Sequence, residues 1–247
     1  CKKIKINFLL SVFGVEELKT VKKLNLKVLK IPSGEINNTP LLKYIAKMKK
    51  KIILSSGMAN LNEVEVAIKI LKKNGLENKK IIVLQCTTDY PTQLKDVNLN
   101  AMITMKKKFK VEVGLSDHTT GSISAVSAVA LGAKVIEKHI TINNNLEGPD
   151  HKASLNPKKF KEFVKNIRNV EILLGSHLKK PTKPELKNKR IVRKSIVASI
   201  NIKKGDKFSK LNITCKRPEG GISPILWNKV IGKKSKQNFN VDDFISI

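Results

Sequence analysis

Apolar residues along the chain follow two alternating patterns, short β-branched runs and longer segments with helical spacing. Six runs predict β-strands, at residues 4–8, 28–31, 52–55, 81–86, 111–116 and 135–140. The segments that follow them place apolar residues every three or four positions, which predicts amphipathic helices. These helices are expected at residues 16–24, 40–50, 62–75, 99–109, 121–132 and 156–175. Strands and helices that alternate in this way are typical of repeated βαβ units around a parallel sheet.

A parallel sheet of this kind is either doubly wound or closed into a (β/α)₈ barrel. No G-x-G-x-x-G motif follows the first predicted strand, and the GKKS string at 232–235 lacks the upstream glycine of a phosphate-binding P-loop. Polar side chains come after nearly every predicted strand, as they do at the C-terminal face of barrel enzymes. The pattern therefore favours a barrel, although six strands are two fewer than a closed (β/α)₈ barrel contains.

The pattern changes after Gly175. Residues 176–190 contain two prolines, five lysines and few apolar residues, which predicts a linker. Residues 191–247 carry short β-like runs separated by turn residues, and we expect them to form a small, mostly β domain. The predicted organisation is a first domain over 1–175, a linker over 176–190 and a second domain over 191–247.

The chain is strongly basic, because its 247 residues include 49 Lys and Arg against 20 Asp and Glu, a formal net charge of +29. Only four of the basic residues are arginines, and aromatic residues make up 4%. Proteins that read nucleic-acid bases favour arginine forks and stacking rings. We therefore expect no nucleic-acid partner, and the positive field suits an anionic small substrate instead.

The three cysteines, Cys1, Cys86 and Cys215, are odd in number and far apart. This spacing fits neither a disulfide framework nor a zinc knuckle, so we expect a reducing cytoplasm. No apolar run approaches the roughly 18 residues that a membrane span needs, and no membrane partner is expected. The sequence starts without an initiating Met, which favours a fragment that begins inside a domain.

Two loops after predicted strands carry groups that bind anions. KIPSGE at 30–35 supplies a lysine, a hydroxyl and glycine-exposed backbone N–H groups, and Ser55-Ser56-Gly57 repeats the arrangement after the next strand. Such groups suit a phosphate or a carboxylate. Each loop alone is explained equally well as an ordinary turn, but two on adjacent strands favour an anion site at one end of the sheet.

Two histidines, His118 and His139, end consecutive predicted strands. Because neighbouring strands lie about 4.8 Å apart, their imidazoles could share one divalent ion, and imidazole suits Mn, Fe, Co or Zn better than Mg. The alternative is a pair of hydrogen-bonded structural histidines. Polar loops at 85–91 and 147–152 also follow strands, and Cys86 is interpreted as a packed small residue rather than a nucleophile.

Seven strings together resemble the sialic acid synthase family, whose members condense phosphoenolpyruvate with an open-chain 2-acetamido sugar and release phosphate. They are KIPSGE (30–35), SSGMA (55–59), CTTDYPT (86–92), GLSDHTTG (114–121), EKHIT (137–141), GPDHKAS (148–154) and KRPEGGISP (216–224). The resemblance implies an α/β fold: a (β/α)₈ TIM barrel that lacks its first two βα units, followed by a small, mostly β antifreeze-like (SAF) domain.

The resemblance also implies roles for individual residues. Those expected to bind phosphoenolpyruvate are Ser11, Lys30, Ser33, Ser55, Thr88 and Ser116. Those expected to bind the sugar are Tyr90, Asp150 and Arg217, the last across a domain-swapped homodimer. His118 and His139 would hold a divalent metal, Mn²⁺ first and Mg²⁺ or Co²⁺ as alternatives. Glu35 would be catalytic, beside the reacting carbons.

Thr88 stands where sialic acid synthases usually have asparagine, and with the GPDHKAS loop it resembles the legionaminic acid branch. That branch uses a 2,4-diacetamido-2,4,6-trideoxy hexose, while N-acetylmannosamine and the pseudaminic acid branch stay open as alternatives. The two missing βα units would supply a glutamate, a lysine and an asparagine of the site. A second hypothesis is therefore an inactive fragment that only binds anionic sugars or dimerises.

Overall fold

The structure is a computed structural model that describes the backbone of residues 1–247 and every side chain except that of Lys2. The chain forms two compact units, Cys1–Gly175 and Ser176–Ile247. The first contains α1 (Glu17–Leu24), β1 (Val28–Ile31), α2 (Thr39–Lys47), β2 (Lys51–Ser55), α3 (Leu61–Lys73), β3 (Ile81–Cys86), α4 (Leu99–Phe109), β4 (Glu112–Asp117), α5 (Ile123–Ala130), β5 (Ile136–Lys138) and α6 (Pro157–Leu174). The second contains α7 (Lys183–Val192), β6 (Ser195–Ala198), β7 (Ile213–Lys216) and α8 (Trp227–Val230). Within the described part of the chain, no helix combines the length and apolar character needed to cross a bilayer.

Five parallel strands of the first unit form one sheet in the order β1-β2-β3-β4-β5. Because neighbours in sequence are neighbours in the sheet, a helix connects each adjacent pair up to β5, and the carboxyl ends of all five strands lie along one edge. This arrangement confirms the predicted α/β class with a parallel sheet. Closure into an eight-stranded barrel stays a prediction.

The first predicted strand, at residues 4–8, is wrong. The described backbone there forms no strand, and pairing with the sheet occurs instead at Ser11, which makes an isolated parallel bridge to Lys30. The reason is burial: Phe8 is 50% exposed, whereas Val12 is completely buried in the core. A segment pairs with the edge of a sheet where its side chains can also be buried.

The two faces of the sheet carry different side chains because successive strand residues point to opposite sides. One face packs against the helices and forms the large core of the unit. On the other face, Ile53, Ile82 and Leu84 form a separate apolar cluster with Val28 and Val135. We call this second side the inner face. Further along the strands it becomes polar, and this change places the candidate site at the carboxyl ends.

Gly114 lies on β4 where the strand approaches its neighbours closely. A Cβ at this position would overlap the Val135 carbonyl oxygen and lie 2.7 Å from Leu84 Cδ2. We expect Gly114→Ala to lower the free energy of unfolding of the first unit by about 1–3 kcal/mol, as overpacking does in other cores. Chemical denaturation checks this. Gly34→Ala is the matched control, because a Cβ at Gly34 meets no atom within 4 Å; an equal effect of both changes would contradict the steric argument.

The second unit is built around the antiparallel pair β6–β7. Its core contains Ile196, Ala198, Ile202, Phe208, Ile213, Val230, Phe239 and Ile245. The segment predicted as a linker, 176–190, contains a helix that was not predicted, since α7 begins at Lys183. This helix was missed because its side chains are mainly charged and exposed. Its N-terminus nevertheless carries a capping box, in which Thr182 and Glu185 each accept a hydrogen bond from the other's backbone N–H, and the T-x-x-E spacing was a usable signal.

Candidate active site

A cavity of about 400 Å³ opens at the carboxyl ends of the strands. Its lining includes nine of the predicted site residues, namely Ser11, Lys30, Ser33, Ser55, Thr88, Tyr90, Ser116, His118 and His139. Strand periodicity explains this convergence, since Lys30 and Ser55 lie two residues after Val28 and Ile53 of the inner face. The sheet therefore brings together residues that lie far apart in the sequence.

One wall of the cavity consists of hydroxyl and backbone donors, with Lys30 beside them. The Ser33 hydroxyl oxygen accepts a hydrogen bond from Gly57 N–H at 3.0 Å and lies 3.6 Å from Cys86 Sγ. The Ser55 hydroxyl is buried and, among the described residues, has no hydrogen-bond partner. Burying a hydroxyl without a hydrogen-bond partner lowers the stability of the fold, so this group indicates a ligand that accepts a hydrogen bond from it. We call Lys30, Ser33, Ser55 and Gly57 the anion cradle.

Lys30 is 4% exposed, and its ammonium nitrogen lies 3.5 Å from Glu137 Oε1. Burial lowers the pKa of Lys30, while the Glu137 carboxylate opposes this shift. Glu137 also accepts a hydrogen bond from Ser116 Oγ at 2.7 Å. Sequence reasoning assigned no role to Glu137. Its position was the available signal, since it lies two residues before His139 and so shares the inner face.

Three rings also line the cavity, and we call Tyr90, His118 and His139 the ring cluster. The ring centroids of Tyr90 and His118 lie 4.2 Å apart, and those of the two imidazoles 5.3 Å apart. Tyr90 approaches His139 edge-on, at 5.7 Å. The two imidazoles thus lie at one level of the same cavity wall.

The surroundings shift the pKa values of the two imidazoles in opposite directions. Burial lowers the pKa of His139, and the Asp150 carboxylate only partly opposes this. Burial acts against protonation of His118 too, but hydrogen bonds to Cys86 and to the Thr87 carbonyl oxygen outweigh it and raise its pKa. His118 Nδ1 lies 2.7 Å from that carbonyl oxygen, which only accepts, so Nδ1 carries a proton and donates it to this hydrogen bond.

The ring cluster fits a divalent metal in the chemistry of its donors. A metal-binding histidine usually donates its second ring N–H to a carbonyl or carboxylate, as His118 does to Thr87. Among the residues that the structure describes, no group of three or more His, Cys, Asp or Glu side chains forms a ready-made metal site. Two imidazoles alone would leave the other coordination positions to water and substrate, and open positions are a feature of catalytic metal sites.

Three predicted residues do not line the cavity. The Glu35 carboxylate accepts a hydrogen bond from Asn38 Nδ2 at 2.6 Å. The Asp150 side chain is 52% exposed, and its Oδ2 lies 3.6 Å from His139 Nδ1. Arg217 belongs to the second unit and follows β7 directly. The catalytic role of Glu35 and the sugar-binding roles of Asp150 and Arg217 stay predictions.

Comparison with known families decides the assignment. Residues 1–179 match the NeuB family, and residues 193–246 match the SAF domain. The chain belongs to the NeuB family. The resemblance to sialic acid synthases inferred from the motifs is thereby confirmed, and so is the antifreeze-like domain at the C-terminal end.

Named relatives of this NeuB-family chain include two synthases from Campylobacter jejuni. N,N'-diacetyllegionaminic acid synthase is 50% identical over 244 residues, which are 99% of this chain and 73% of that protein. Pseudaminic acid synthase is 38% identical over 233 residues, which are 94% of this chain and 67% of that protein. A crystal structure of N-acetylneuraminic acid (sialic acid) synthetase from Leptospira borgpetersenii, in complex with citrate, superposes with a TM-score of 0.70 at 35% identity. That match covers 76% of this chain and 65% of the other.

Proposed function

We propose that this NeuB-family chain carries the site of a nonulosonic acid synthase, which joins phosphoenolpyruvate to an open-chain 2-acetamido sugar and releases phosphate. The observation that carries the proposal is the convergence of an anion cradle and a pair of imidazoles in one cavity. These two parts match the two substrates. Phosphoenolpyruvate is a phosphate ester with a carboxylate and suits the anion cradle, whereas the sugar is an aldehyde and suits the pair of imidazoles. The relatives named as synthases support the same reaction.

The anion cradle suits phosphoenolpyruvate. Lys30 provides a buried positive charge, and the buried Ser55 hydroxyl provides a donor that has no partner among the described residues. Charge-assisted hydrogen bonds to phosphate or carboxylate oxygens are stronger than neutral ones, and burial strengthens them further. Ser33 and Ser116 line the same cavity, and with them the cradle would contact both anionic ends of the substrate.

The ring cluster suits the sugar end. A divalent metal, Mn²⁺ first among the candidates, would supply Lewis-acid polarisation of the sugar aldehyde when bound by His118 and His139. Carbon 3 of phosphoenolpyruvate then attacks the aldehyde carbon, and the alkoxide oxygen takes a proton. Water adds at the cationic carbon 2 and loses a proton. The bond between carbon 2 and the phosphate oxygen then breaks, the new hydroxyl becomes the keto group, and its proton leaves with the phosphate. Tyr90 closes the cluster and packs against both imidazoles.

Within this class we propose the legionaminic acid branch, with a 2,4-diacetamido-2,4,6-trideoxy hexose as the sugar. Identity to the legionaminic relative is 50%, against 38% to the pseudaminic one. We further propose that the enzyme is a cytoplasmic homodimer in which Arg217 of one subunit contacts the sugar of the other. The three cysteines support that compartment, since all are free thiols.

Phosphate release from phosphoenolpyruvate tests the proposal. With Mn²⁺ and the 2,4-diacetamido sugar we expect release in one-to-one ratio with sugar consumed, and no release after chelation. The pseudaminic-type isomer and N-acetylmannosamine are expected to give kcat/KM values at least about 10-fold lower, since each lost hydrogen bond in a polar site costs about 1 kcal/mol or more. Sugar binding without any phosphate release would favour the inactive binding fragment instead.

A further inference from the structure

A buried ion pair lies directly behind the ring cluster. Lys138 Nζ donates to Asp117 Oδ2 at 3.0 Å, and the two side chains are 1% and 0% exposed. By strand alternation both point away from the inner face, toward the helices. The ammonium group accordingly lies 5.9 Å from the ring centroid of Phe163 on α6. Lys138 is also among the residues that line the cavity, but neither charge has a role in the chemistry described so far.

The pair holds the ends of two strands together. Asp117 and Lys138 are direct partners in the register of β4 and β5, at the last position where the two strands pair. Asp117 Oδ1 accepts from both the backbone N–H and the hydroxyl of Thr119, at 2.9 and 2.8 Å. Lys138 Nζ also donates to the Thr119 carbonyl oxygen. One network therefore ties β5 to the backbone on both sides of His118.

Stability alone gives a weak reason for such a pair. Two charges lose their hydration when they are buried, and an apolar pair of similar volume is often as stable or more so. What the pair does provide is a fixed geometry next to the imidazoles. Asp117 precedes His118 and Lys138 precedes His139, so the pair fixes the backbone from which both rings project.

We propose that Asp117 and Lys138 are positioning residues that hold His118 and His139 at the separation needed to share one divalent ion. The proposal rests on the proposed metal role of those imidazoles. A contact beyond strand pairing is needed because β5 is short. It has only three residues and pairs with β4 at only three positions. Without the ion pair, the position of His139 relative to His118 would depend on that short ladder alone.

The test is a double variant, Asp117→Leu with Lys138→Met, which replaces the charges by apolar groups of similar size. Mn²⁺ binding is measured by calorimetry and Co²⁺ binding by its visible absorption, both without substrate. We expect metal affinity to fall about 10- to 100-fold, the usual effect of losing groups that orient metal ligands. The Kd for phosphoenolpyruvate without metal should change much less than the Kd for metal, because the anion cradle lies on β1, β2 and the loops that follow them, and of the proposed phosphoenolpyruvate ligands only Ser116 lies on β4.

The matched control is Lys51→Met with Glu112→Leu. These residues form an ion pair with a 3.7 Å separation at the amino ends of β2 and β4, at the opposite end of the sheet from the imidazoles. Metal affinity should be unchanged in this control. Unchanged affinity in the Asp117/Lys138 variant as well would overturn the positioning role. No metal binding by the parent chain would instead overturn the metal site itself, which separates the two proposals.

A third variant tests the positioning role if the double variant does not fold. Thr119→Val keeps the shape of the side chain and removes one of the two donors to Asp117 Oδ1. We expect a several-fold loss of metal affinity in a chain that still folds, with a lower denaturation midpoint because buried Asp117 and Ser124 each lose a hydrogen bond. Parent-like affinity in a folded Thr119→Val chain would count against the positioning role.

Discussion

Replacing His118 or His139 by alanine is expected to lower the Mn²⁺-dependent rate of phosphate release by at least about 100-fold. Lewis-acid polarisation contributes several kcal/mol to such reactions, and each 1.36 kcal/mol corresponds to a factor of ten in rate. Either change removes one of the two imidazoles that lie 5.3 Å apart in the cavity. The measurement is kcat/KM for the sugar at several Mn²⁺ concentrations, together with the Kd for Mn²⁺.

His177→Ala is the control for this prediction, since His177 is exposed and lies outside the first unit. Its rate and Mn²⁺ affinity should match those of the parent. The Kd for phosphoenolpyruvate alone should change little in either ring-cluster variant, because the anion cradle remains intact. If one alanine variant kept its rate within about threefold and still required Mn²⁺, that imidazole would not hold the metal.

The sequence predicted the first unit well wherever periodicity and burial agree. The strands at 28–31 and 81–86 and the helix at 99–109 were predicted with the bounds that the structure has. The strand at 4–8 was wrong because an apolar run is no signal of pairing when its side chains stay exposed. Helix α7 was missed for the converse reason, since a charged helix has no apolar periodicity and only its capping box marks it.

Convergence of the site could be predicted, but its internal contacts could not. Lys30, Ser55 and His118 were expected at one end of the sheet because each follows or ends a strand, and the cavity contains all three. The contact of Glu137 with Ser116 depends on the register of β4 and β5, in which these two residues are direct partners. The register of two strands cannot be read from a single sequence, and a shift of one residue changes which side chains face each other.

Gly57→Ala is expected to lower kcat/KM for phosphoenolpyruvate about 100-fold, the effect of misplacing binding groups by about 1 Å. A Cβ at Gly57 would overlap Thr88 Oγ1 and lie 2.8 Å from Ser33 Oγ. Ser33 would have to move away from the Gly57 N–H that now donates to it. The change adds one methyl group at a glycine whose φ is not left-handed, so its effect is steric and falls on the nearest side chains, Thr88, Ser33 and Cys86.

Two measurements separate this effect from general damage. The Kd for Mn²⁺ should change much less than kcat/KM for phosphoenolpyruvate, because the three atoms nearest to the added methyl group belong to Thr88, Ser33 and Cys86 and not to a ring of the cluster. Adding Thr88→Ala removes the overlapping hydroxyl and should restore about 10-fold of the lost kcat/KM, since neighbouring changes that share one contact are not additive. A Gly57→Ala chain with parent-like kinetics would contradict the anion cradle as the binding site of phosphoenolpyruvate. Displacement of Ser33 must weaken the binding of any ligand held there.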